Sequence, residues 1–132
     1  MAVEKRSLTL SLFACLECAT GLGLVLVPGM AISLLFGLIQ PAPETLLVAR
    51  VAGAALLAVG AASWGTRTFD RPQANCGLLI GVTLYNILSA SVLAYAALGL
   101  GMRGALIWPA VVYHAALLPW CLISALRVLG RR

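Results

Sequence analysis

Four apolar runs, each long enough to cross a lipid bilayer, constrain this chain more than any other feature. They cover approximately residues 8–27, 46–64, 77–98 and 105–126. A helix rises about 1.5 Å per residue and the hydrocarbon core is about 30 Å thick, so about 20 apolar residues make one crossing. Each run is apolar around its whole circumference, as a helix facing lipid must be. Of the 132 residues, 62% are hydrophobic and 10% charged, a balance that a soluble domain of this size could not keep out of water. The expected fold is all-α: a four-transmembrane-helix bundle forming a single integral-membrane domain over residues 1–132, with the lipid bilayer as its first partner.

The breaks between runs have local causes. Pro28-Gly29 ends the first span, because proline lacks an N–H and glycine tolerates capping conformations. Arg67, Asp70, Arg71 and Pro72 make a polar turn between the second and third spans, and Gly99, Gly101, Arg103 and Gly104 make the last turn. Connections this short set neighbouring helices antiparallel. The apolar stretch Met30–Ile39 has only 10 residues and cannot span. Bracketed by Pro28-Gly29 and Gln40-Pro41-Ala42-Pro43, it reads as a short interfacial helix between the first and second spans.

Basic residues set the orientation. With the N-terminus in the cytoplasm, the inner segments carry Lys5, Arg6, Arg67, Arg71, Arg127, Arg131 and Arg132, while the outer side has only Arg50 and Arg103. Seven against two is the positive-inside pattern, and it places both termini in the cytoplasm. Trp64 and Trp108, at span ends, fit aromatic belts. The net charge of +5 forms no stripe or block, so the basic residues read as topology signals and no nucleic-acid partner is expected. The N-terminal Met1–Arg6 could open a cleaved signal, but the 20-residue run that follows is too long and lacks a small-residue cleavage site, so it reads as a retained helix.

The stretch Pro28-Gly29, then Leu34-Leu35-Phe36-Gly37, then Ala49-Arg50-Val51-Ala52-Gly53-Ala54-Ala55-Leu56-Leu57-Ala58-Val59-Gly60 resembles small four-helix bacterial inner-membrane proteins of the DoxX-like kind. The resemblance covers about the first half of the chain and rests on apolar and small residues. It implies a four-helix bundle in the bacterial inner (plasma) membrane and an association with quinone-linked redox complexes. It transfers no catalytic residue, and Cys15-Leu16-Glu17-Cys18 departs from the pattern.

Ionisable and polar groups at membrane depth cost free energy, at least about 2.5–3.5 kcal/mol for a charge on insertion scales, and each asks for a reason. Glu17 lies near the middle of the first span, on a face with Ala14 and Gly21 that permits close helix approach, so it is expected to face the interior. Arg50, one turn into the second span, shares its face with Gly53, Ala54 and Leu57. A buried Glu17–Arg50 pair is the expected partnership; the alternative is that Arg50 snorkels to the interface and Glu17 is protonated. In the third span Tyr85 and Asn86 sit near the middle, with Thr83 and Ser89 flanking Asn86, which reads as interhelical hydrogen bonding.

His114, the single histidine, lies near midplane in the fourth span, five residues before the helix-interrupting Pro119 and on roughly the face of Cys121. It reads as a satisfied interior histidine, or else as a ligand for haem, a metal or a quinone carbonyl. Cys15 and Cys18, three residues apart, lie about 60° apart on one helix and could hold one soft ion. A similar pair occurs in the first helix of mercury-uptake membrane proteins, although nothing else here resembles them. The plainer reading is that these cysteines pack, and no disulfide framework is expected from Cys15, Cys18, Cys76 and Cys121.

No phosphate-cradling glycine loop, nucleophile elbow, zinc signature or paired carboxylate is present in the sequence, which points away from an enzyme. The leading expectation is a non-catalytic membrane subunit or accessory protein of a larger inner-membrane complex, joined to other membrane subunits or to copies of itself. The alternatives are a thiol-based metal transporter using Cys15 and Cys18, and a quinone- or haem-binding redox component using His114. The sequence names no cofactor.

Overall fold

The computed structural model describes residues 2–66 and 72–129, with side chains at 8–66, 77–124 and 126. The seven basic residues behind the expected orientation lie outside these described side chains, as does Cys76. Five helices follow one another: α1 (Ala2–Leu26), α2 (Pro28–Phe36), α3 (Pro43–Thr66), α4 (Pro72–Leu98) and α5 (Ile107–Leu129). Four carry membrane-length apolar stretches, at Leu8–Leu26, Pro43–Thr66, Gly77–Leu98 and Ile107–Ser124. The fold is therefore all-α, with the short α2 between the first and second spans.

Helix boundaries depart from the apolar runs where backbone chemistry outweighs hydropathy. Pro28 opens α2, since the first helical position needs no N–H donor. The turn stays tight there: Val27 N–H donates to Gly23 at 2.9 Å, and Ala31 N–H to Val27 at 3.1 Å. At the other end α2 stops at Phe36, short of the expected Ile39, because Gly37 takes a positive φ of 78° that terminates a right-handed helix. Pro43 and Glu44 begin α3 three residues before the apolar run, proline at the first position and an acid facing the helix N-terminus. Helix α5 begins at Ile107 and not Ala105, and the Leu106 N–H, which a helix start leaves without an intrahelical acceptor, donates to the Leu34 carbonyl at 2.9 Å.

The chain forms two compact units: Met1–Ile32 with Ile39–Asp70, and Ser33–Leu38 with Arg71–Arg132. In the first, α1 and α3 run antiparallel and meet on glycine. A Cβ at Gly21 would come within 2.7 Å of the Gly53 carbonyl oxygen, and one at Gly53 within 2.7 Å of the Gly21 carbonyl oxygen. Seven residues along each helix the contact recurs, where a Cβ at Gly60 would meet the Ala14 carbonyl oxygen at 3.0 Å. Small residues are what let two backbones approach this closely, and in a bilayer such packing replaces the hydrophobic drive that lipid removes.

In the second unit α4 and α5 form an antiparallel hairpin, and the end of α2 is gripped by the loop that joins them. A Cβ at Gly104 would fall on the Leu35 carbonyl, and Gly37 packs against the backbone of Arg103 and Gly104. With the Leu106 N–H on Leu34, one terminal carbonyl of α2 gains a partner that the helix itself cannot supply.

Polarity is inverted relative to a soluble fold. Leu8, Leu12, Leu47, Val51, Leu84, Val92 and Val112 are exposed, while Glu17, Ser63, Asn86 and His114 are buried. Leucine outside and carboxyl or imidazole inside suits hydrocarbon as solvent and no aqueous one. The protein is a multi-pass membrane protein.

Candidate functional site

The second unit assembles polar side chains along the α4–α5 interface. Asn86 is wholly buried, and its Nδ2 donates to the Val82 carbonyl one turn earlier at 2.7 Å. Its Oδ1 lies 2.9 Å from His114 Nδ1. Because a carbonyl can only accept, the atom facing Val82 must be the amide nitrogen, which leaves the amide oxygen toward His114. That oxygen also only accepts, so His114 Nδ1 carries the proton and donates. In the neutral ring Nε2 is then a bare lone pair.

Two tyrosines frame the imidazole. The Tyr85 ring stands edge-on with centroids 5.4 Å apart and planes at 84°, and the Tyr113 ring lies 5.0 Å away at 60°. Such T-shaped contacts hold a ring in one orientation. Farther along the hairpin Thr83 Oγ1 donates to the Leu79 carbonyl at 2.6 Å. The same side chain lies beside the thiol of the fully buried Cys121. The sequence singled out Asn86 and His114 separately; the structure joins them. Tyr113 and the Thr83–Cys121 contact were missed, although Tyr113 is adjacent to the histidine.

The first unit buries Glu17, as expected, and sets Arg50 at the end of α1. Glu17 is 2% exposed, within a buried stripe of α1 formed by Leu10, Phe13, Ala14 and Leu24, and it is engaged in an interaction rather than left bare. Arg50 is exposed, and its Nε donates to the Val25 carbonyl at 3.2 Å. Val25 lies eight residues beyond Glu17, about 12 Å along the helix, so this Arg50 contact is made with the end of α1. The physical reason is at the end of α1. Its last carbonyls lack helical donors, Pro28 offers none, and a cation is favoured at a helix C-terminus. Arg50 serves that end, close to the snorkelling alternative.

Cys15 and Cys18 share a helix but not an environment. Cys15 is exposed, whereas Cys18 is half-buried, its sulfur 2.5 Å from where a Cβ at Gly60 would sit. Cys18 therefore packs into the α1–α3 contact. Among the described residues, Cys15, Cys18 and Cys121 are free thiols, and no three His, Cys, Asp or Glu side chains converge as a metal site. Ser63, unremarked in the sequence, is fully buried on the stripe of Gly53 and Gly60. No family model matches this chain, and no curated protein or solved structure matches it either.

Proposed function

We propose that the protein is a non-catalytic subunit or accessory protein of a larger inner-membrane assembly, and that it acts by docking its helices against those of other subunits. The observation that carries this reading is an unused close-packing face on α4. Gly77, Gly81, Leu84, Leu88 and Ser91 recur at helical spacing and are all exposed, and a Cβ at Gly77 or Gly81 would meet nothing within 4 Å. Within the first unit, glycines at Gly21 and Gly53 are what bring two helices into backbone contact. The same device facing outward suits a second helix better than lipid, because flexible acyl chains gain little from a flat glycine surface. The DoxX-like resemblance supports the same role beside quinone-linked redox complexes.

Native mass spectrometry of gently solubilised material tests this. The expected result is a complex of fixed stoichiometry that Gly81→Leu disrupts while the helical fold survives. A wild-type chain that appears only as a monomer would remove the proposal. In this reading both termini are cytoplasmic, so reporter fusions at Arg71 and Arg132 should report cytoplasm, and fusions near Pro41 and Arg103 the outside.

A further inference from the structure

We propose that His114 Nε2 is a recognition site for the hydroxyl of a lipid-soluble phenol, a role separate from helix docking. Three observations lead there. Asn86 commits the Nδ1 proton of the ring, so that Nε2 can only accept. Among the described residues Nε2 has no hydrogen-bond partner, since His114 is bonded through Nδ1 alone. And Nε2 is not sealed in: among the described residues, the one deeply buried side-chain nitrogen or oxygen left without a partner is Ser63 Oγ. An unpartnered Nε2 must therefore meet the surroundings, through the 7% of His114 that is exposed.

A bare imidazole lone pair facing hydrocarbon is unfavourable until a donor reaches it. The neighbouring groups and the lone pair select the donor by chemistry. Tyr85 and Tyr113 stand beside the ring at 5.4 and 5.0 Å between centroids, and both are themselves partly exposed. Two aromatic rings beside the imidazole offer an aromatic donor ring surfaces to lie against, and a phenol hydroxyl is a stronger donor than an aliphatic one. A quinone carbonyl, one of the alternatives the sequence left open beside a satisfied interior histidine, is itself an acceptor and does not match a lone pair. A metal would have a single protein nitrogen here, since no His, Cys, Asp or Glu cluster converges on it among the described residues.

His114 is the only histidine in the chain, so 15N-histidine labelling of the detergent-solubilised full chain gives one pair of ring signals. The expected spectrum shows Nδ1 protonated and Nε2 bare. Adding 4-octylphenol should shift the Nε2 signal saturably, while 4-octylanisole, identical but for the methylated oxygen, should bind about two- to twelvefold more weakly, the ratio that one net hydrogen bond supplies. His114→Phe should abolish the preference of the phenol over the anisole. Asn86→Leu should shrink it, because the ring is then free to place its proton on either nitrogen. An Nε2–H tautomer in the wild type, equal binding of phenol and anisole, or a preference surviving in His114→Phe would each overturn the proposal. So would a haem absorption band in the purified protein, which would assign Nε2 to iron. The tautomer and the phenol–anisole ratio are read on the wild-type chain, so a misfolded variant does not remove the test.

Discussion

Replacing Gly21 by alanine places a methyl carbon 2.7 Å from the Gly53 carbonyl oxygen, 2.9 Å from Leu57 Cγ and 3.0 Å from the Leu57 nitrogen. Ordinary contact begins at 3.4 Å. Two of the three obstacles are main-chain atoms of α3, which cannot rotate away as a side-chain tip can, so the helices must separate by about 0.5–1 Å. A gap of that size forfeits about a quarter to a half of each dispersion contact along the seam. Overpacking of this kind costs about 1–3 kcal/mol, or about 5- to 150-fold in the folding equilibrium. Gly53→Ala meets a mirror-image set, with the Gly21 carbonyl oxygen at 2.7 Å and Leu24 Cβ and Val25 Cγ2 at 2.9 Å, and should cost the same. Both act on one separation, so the double variant should lose less than the sum.

Gly23 and Gly65 lie on the same two helices but face open space. Alanine there should be neutral or stabilising by up to about 1 kcal/mol, through helix propensity alone. Unfolding in mixed micelles by SDS titration, followed by circular dichroism, measures all five proteins. If Gly21→Ala and Gly53→Ala prove no less stable than Gly23→Ala, the reasoning from backbone contact is refuted.

Three further outcomes follow from other contacts. Gly37→Ala forces a side chain onto a φ of 78° and should cost about 1–2 kcal/mol, and Gly104→Ala, which drives a methyl group into the Leu35 carbonyl, should cost at least as much in the same titration. Glu17→Gln and Arg50→Ala should lose stability additively, within about 0.5 kcal/mol, because their side chains act at opposite ends of two turns of α1; a strong coupling energy would restore the direct ion pair. In variants retaining one cysteine each, Cys15 should react with a lipid-soluble maleimide before unfolding and Cys121 only after it, since Cys15 is exposed and Cys121 fully buried; equal rates would contradict the packing of α5.

The spans were legible because a bilayer imposes a length, and no other solvent makes 20 apolar residues a unit. The α1–α3 register was not. Ala14, Gly21, Gly53, Ala54 and Gly60 offer several small-on-small alignments, and only the three-dimensional fit selects the one that sets Gly21 on Gly53. The Arg50 contact with Val25 was not legible either, for a different reason. Matching Arg50 to Glu17 weighed charge against charge and ignored the carbonyls that a helix ending before Pro28 leaves open, which are nearer and already polarised. The Asn86–His114 bond was half visible: both residues read as lying at similar depth, but that they meet depends on the rotation and register of α5 against α4, which hydropathy does not encode.

The inverted polarity of the fold limits how such a protein can recognise anything. Apolar side chains on the outside cannot discriminate a partner from lipid, because both present the same hydrocarbon. Recognition then falls to the two kinds of feature that lipid cannot satisfy. One is a surface flat enough for backbone-to-backbone contact, as at Gly77 and Gly81, where the gain comes from shape. The other is a polar atom whose complement acyl chains do not carry, as at His114 Nε2, where it comes from a directed hydrogen bond. Glu17 and Asn86 do not qualify, because each is buried and already engaged within the chain. A variant that fills the glycine face should therefore change assembly and leave phenol binding intact, and His114→Phe should do the reverse. If Gly81→Leu weakened phenol binding as much as His114→Phe does, the two features would form one site and their separation would fail.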